Sequence, residues 1–70
     1  MSQQYEIVII GYLPPQWIIV FEGMEVQCLP DGNTRIAGTI PDQSALYGLL
    51  MRLRDFGLTL ISLRQIKEEE

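Results

Sequence analysis

The tripeptide Pro30-Asp31-Gly32 constrains this chain more than any other feature. Proline presets φ for the first central position of a type I turn, and aspartate suits the second. Glycine accepts the left-handed conformation that follows in a bulged hairpin loop. Both flanks alternate. Over 24–29, Met24, Val26 and Cys28 share one strand face, and Glu25 and Gln27 share the other. Residues 34–40 run back as a second strand. Pairing Leu29 with Asn33 sets Val26 opposite Ile36 and Gln27 opposite Arg35, so apolar meets apolar and polar meets polar. Turn chemistry and face pattern select one register. The turn makes its demand on Gly32, and alanine at Asn33 is expected to be tolerated.

Residues 41–56 carry a complete set of helix signals. Asp42 is a good N-cap, with Gln43 the first helical residue. Pro41 can staple against Leu46. Leu46, Leu49, Leu50 and Leu53 fall at i, i+3, i+4, i+7 and form one apolar stripe. Gly57 stands where a left-handed residue ends a helix, and Leu58 is placed to touch Leu53 in a Schellman motif.

Residues 5–12 read as a strand. Ile7 and Ile9 point one way, and Val8 and Ile10 the other, which suits a central strand. Residues 58–66 read as a last strand with apolar residues on both faces. Residues 14–23 are ambiguous. A proline near the first turn, Trp17 and Phe21 at i, i+4, and Gly23 favour a short helix. The β-branched run Ile18-Ile19-Val20 favours a strand. With the helix preferred, the fold class is α+β, a small ferredoxin-like β-α-β-β-α-β sandwich with a short first helix. The alternative is an antiparallel β-meander packed on one helix. One domain is expected over 5–66, with 1–4 and 67–70 as loose termini.

Several runs together carry a resemblance: Trp17 with Phe21-Glu22-Gly23, Pro30-Asp31-Gly32-Asn33-Thr34, Gly38, Asp42-Gln43-Ser44-Ala45-Leu46-Tyr47-Gly48-Leu49-Leu50, and Arg54-Asp55-Phe56-Gly57-Leu58. The chain resembles short, stand-alone, uncharacterised bacterial proteins of actinobacterial, chloroflexi and cyanobacterial type. The resemblance spans nearly the whole chain. It departs at Ile18 and Ile19, where polar residues are expected. It implies an independent bacterial cytosolic domain and brings no functional residue with it.

Composition narrows the function classes. Seventy residues bury only about 60% of their unfolded surface, so self-association is a natural source of extra stability. One cysteine and no histidine argue against a disulfide, a zinc site and the commonest neutral-pH base. The formal charge of −4 argues against nucleic acid and anionic membranes. No basic leader and no long apolar run is seen, so the chain reads as cytoplasmic. Cys28 reads as a small buried hydrophobe. Gly11 is a poor phosphate cradle, because the prolines that follow lack amide donors. No catalytic, cofactor-binding or metal-ligating residue is expected, and the chain reads as a non-enzyme.

What remains is apolar surface. Trp17, Ile18, Ile19 and Phe21 form one candidate interface, and the open sheet face, with Val8 or Ile9 and Ile61, forms another. The expectation is a protein-interaction or regulatory module that works as a homodimer or on another protein. The alternative is a small-molecule-sensing domain of the ACT type, suggested by the glycine and prolines after the first strand.

Overall fold

The computed structural model describes residues 3–14, 21 and 23–66. Five elements occur among them: β1 (Gln3–Ile9), β2 (Glu25–Cys28), β3 (Thr34–Ile40), α1 (Gln43–Asp55) and β4 (Leu60–Ile66). The four strands form one antiparallel sheet in the order β2-β3-β1-β4. One helix on a four-stranded antiparallel sheet fits the alternative reading of strands packed on a single helix. The short first helix falls on residues 14–23, most of which lie outside the described residues. From that stretch, Phe21 is core, and its carbonyl accepts from the Met24 N–H at 2.9 Å.

The β2–β3 hairpin has the expected register, with Val26 opposite Ile36 and Gln27 opposite Arg35. The Gly32 N–H donates to the Leu29 carbonyl at 3.0 Å, and the Leu29 N–H donates to the Asn33 carbonyl at 2.8 Å. Gly32 has φ of +91°, where a side chain is disfavoured. The helix ends are also as expected. Asp42 Oδ1 accepts from the Ala45 N–H at 2.8 Å. At the other end Leu58 N–H donates to Leu53 and Gly57 N–H to Arg54, the two bonds of a Schellman motif.

The register sorts the side chains. Ile7, Ile36, Val26 and Leu63 lie in one row across the sheet, on the face that α1 covers. Ile7, Ile9, Leu13, Phe21, Ile36 and Leu53 make the core, with Leu49, Leu50 and Leu58 half-buried around it. The helix stripe is thus anchored at its two ends, by Leu46 and Leu53. Gly38 lies on the same face. A Cβ there would stand 3.0–3.2 Å from Met24, so the missing side chain lets the chain entering β2 cross close above β3.

Asn33 does more than the turn asks of it. Its Oδ1 accepts from the Gly11 N–H at 3.2 Å, and its Nδ2 donates to Asp31. The next residue, Thr34, is fully buried and donates to the Gly11 carbonyl at 2.7 Å. Two side chains of the hairpin therefore hold both peptide groups of the residue that leaves β1. The expectation that Asn33 is expendable is corrected by these contacts, which cross 22 residues of sequence.

Two stability results are expected. Leu53→Ala should cost about 2–5 kcal/mol and Leu50→Ala distinctly less, read as urea midpoints. Equal costs would place the helix stripe differently. Asn33→Ala should cost about 1 kcal/mol through the freed Gly11 amide. A wild-type midpoint for that variant would show that the clamp adds nothing.

Candidate functional site

The face of the sheet away from α1 is polar. Odd and even positions part cleanly in β1, so Glu6 and Val8 lie on this face beside Arg35 and Ala37 of β3 and Ser62 and Arg64 of β4. The Glu6 carboxylate is largely buried at 14% side-chain exposure. It accepts from Arg35 Nε through one oxygen and from Arg64 through the other, at 3.1 Å to Nε and 3.0 Å to an Nη. Arg35 also reaches Glu25 of β2 at 3.6 Å. One carboxylate therefore braces three strands, and the network touches all four. The hydrogen bond from Arg35 holds the Glu6 carboxyl below the usual carboxylate range. Burial opposes this, and the Arg64 charge adds to it. The same partnership raises Arg35.

Apolar surface gathers instead at β4. This strand is one edge of the sheet and spans seven residues. Leu60, Ile61 and Leu63 are 43%, 48% and 37% exposed. A β-bulge opposite Ile9 disturbs only the start of the strand, and Ser62–Ile66 pair regularly with β1. The other edge, β2, has four residues and begins with the exposed Glu25. Short, charged edges resist pairing, and long apolar ones invite it. Elsewhere Tyr47 and Met51 are exposed on α1 and Ile10 and Tyr12 beyond β1, but none of them accompanies unpaired strand backbone. No group of acidic, cysteine or histidine residues among those described is arranged to hold a metal. No helix among them is long and apolar enough to cross a membrane.

A family model for a domain of unknown function, DUF8691, matches residues 4–64. The chain belongs to the DUF8691 family. No curated protein and no solved structure matches it. The match spans β1 through most of β4, so the braced face and the apolar edge both lie inside the DUF8691 domain.

The sequence-derived interface residues are dispersed by this fold. Trp17, Ile18 and Ile19 lie outside the described residues. Phe21 is 2% exposed, so it belongs to the core and is withdrawn as a surface residue. Val8 is on the open face but only half-exposed, among Arg35 and Ser62. Ile9 is fully buried against the helix side, which corrects its alternative placement on the open face. Ile61 is exposed, but on β4 at the edge of the helix-covered face, not on the open one. Leu60 and Leu63 were not singled out by the sequence. The signal available was topological, since a last strand laid beside the first one is an edge. Cys28 is exposed and not buried. Its face is the expected one, opposite Thr34, but it ends an edge strand beyond the reach of the core.

The braced face has a pH signature. Glu6 titrates lower in the folded state than in the unfolded chain, where a glutamate has a pKa of about 4.3. Its stabilisation is therefore complete above that value and is lost as pH falls through the lowered native pKa. Glu6→Gln should cost about 1–2 kcal/mol at pH 7 and much less at pH 3, by urea denaturation at both. A cost that did not change with pH would remove the ion pairs from the explanation.

Proposed function

We propose that this DUF8691 domain is a small, non-catalytic interaction module of the bacterial cytoplasm that works as a homodimer. The observation that carries the reading is β4, a seven-residue edge strand with three exposed aliphatic side chains. An edge of this kind presents unpaired N–H and C=O groups next to apolar surface, and another strand satisfies both at once. The open face offers a partner no comparable reward, because its charges are already satisfied within the sheet. The absence of histidine from the sequence and the acidic charge support a role without acid–base chemistry or nucleic acid.

A second reading, a small-molecule sensor with a ferredoxin-like sheet of the ACT type, draws on two observations. The order β2-β3-β1-β4 with a helix between β3 and β4 is compatible with that arrangement. A cleft of about 370 Å³ is lined by Gln3, Tyr5, Ile40, Asp42, Gln43 and Gln65. It lies at the start of β1, at the opposite end from the glycine and prolines that suggested this reading. Its carboxamides and carboxylate suit a neutral or cationic polar ligand. A thermal shift with one such metabolite would favour this reading, since a ligand that binds only the folded state raises its midpoint.

Sedimentation equilibrium separates the readings. The mean mass is expected to rise from one chain towards two as concentration approaches about 100 μM, with Ile61→Glu staying at one chain while keeping its folded circular dichroism. A wild-type mass of one chain throughout would refute the homodimer.

A further inference from the structure

We infer that the occupant of the β4 edge is a second copy of the same strand, paired antiparallel about a two-fold axis centred on Ser62. The inference rests on the self-associating reading above and specifies its geometry. A two-fold axis normal to the sheet makes a strand and its copy antiparallel and keeps every side chain on its own face. The pair must then be centred on one residue, because a one-residue slip would oppose side chains from different faces. Few centres remain. Centring on Ser62 sets Ile61 opposite Leu63 of the second copy, twice over by symmetry. Centring on Leu63 sets Ile61 against Gln65. Centring on Arg64 sets arginine against arginine. Centring on Ile61 sets Leu63 against Thr59, so only the Ser62 register gives both Ile61 and Leu63 an aliphatic partner across the seam.

Charge agrees with this choice of partner. The chain carries −4, yet β4 (Leu-Ile-Ser-Leu-Arg-Gln-Ile) holds no acidic residue. The two Arg64 side chains start about 14 Å apart in this register, beyond the screening length of about 8 Å at physiological salt. Arg64 is also engaged by Glu6 on its own chain. A pairing of β4 with β2 would be head-to-tail, which builds a ring or an open filament rather than a closed pair, and it would bring in the exposed Glu25. Two paired edges remove on the order of 800–1,000 Å² in total, at the lower limit for a specific interface, so a reversible dimer is expected.

Disulfide trapping tests the register. Cys28 is first replaced by serine, because it is exposed and would cross-link by itself. In that background Ser62→Cys places two thiols on strands whose Cα atoms are about 4.5–5.5 Å apart, within disulfide reach. Gln65→Cys places them about 20 Å apart. Under mild oxidation at a concentration where the reduced proteins sediment as dimers, Ser62→Cys should convert almost wholly to a covalent dimer on a non-reducing gel. Gln65→Cys should remain mostly single-chain. If Ser62→Cys does not fold, a mixture of Ile61→Cys and Leu63→Cys chains should cross-link well beyond either alone. Dimeric mass with no preference for these positions would overturn the register and leave self-association standing. Single-chain mass in the reduced proteins would overturn both.

Discussion

Everything in this domain depends on β1 serving both faces of the sheet at once. It is hydrogen-bonded to β3 on one side and β4 on the other. Ile7 and Ile9 are fully buried under the helix, while Glu6 between β3 and β4 accepts from an arginine of each. Burying a carboxylate is unfavourable unless it is paired and hydrogen-bonded, and here both oxygens are engaged. The pairing gives the open face a polar finish. It also ties β4, which belongs to the sheet through β1 alone, to the rest of the molecule. Without that brace the last strand would be held by its ladder and by Leu58, which packs half-buried against the core just ahead of it.

The division of labour explains where surplus apolar surface ends up. A chain of 70 residues has one helix among its described residues to cover a four-stranded sheet. The core is centred on β1, β3 and the α1 leucines, and the outer edge of β4 is left partly bare. Edge strands are usually protected by being short, charged or bulged. β2 follows that rule with four residues and Glu25. β4 follows it only at its bulged start and at Arg64, whose charge Glu6 engages. The asymmetry between the two edges, more than the amount of exposed surface, is what supports the proposal that β4 is the contact strand.

Local devices were legible in the sequence. The turn at Pro30-Asp31-Gly32, the Asp42 cap and the Gly57-Leu58 stop each involve residues within five positions of one another, and their chemistry is nearly independent of the rest of the fold. The open face was not legible. Ile7-Val8-Ile9-Ile10 reads as apolar in both directions, and nothing near Glu6 reveals that its partners stand 29 and 58 residues away. Alternation likewise gave Cys28 its correct face but said nothing about how far the core extends along that face. The same distance problem hid Asn33, whose role is to hold Gly11 at the far end of another strand. Of the expected interface, Ile61 is exposed at an edge, Phe21 is core, and Trp17, Ile18 and Ile19 fall outside the described residues.

Family membership places the braced sheet and its bare edge within one DUF8691 domain. Hydrogen exchange read by mass spectrometry, on samples labelled at about 1 μM and about 200 μM, tests the central claim most directly, because mass action populates the paired edge only in the second. Backbone amides of β4 should exchange more slowly at the higher concentration, while those of β1, β2, β3 and α1 keep the same rates. Concentration-dependent protection confined to β2 or to the open-face strands β1 and β3, or none anywhere, would contradict an assembly built on the β4 edge.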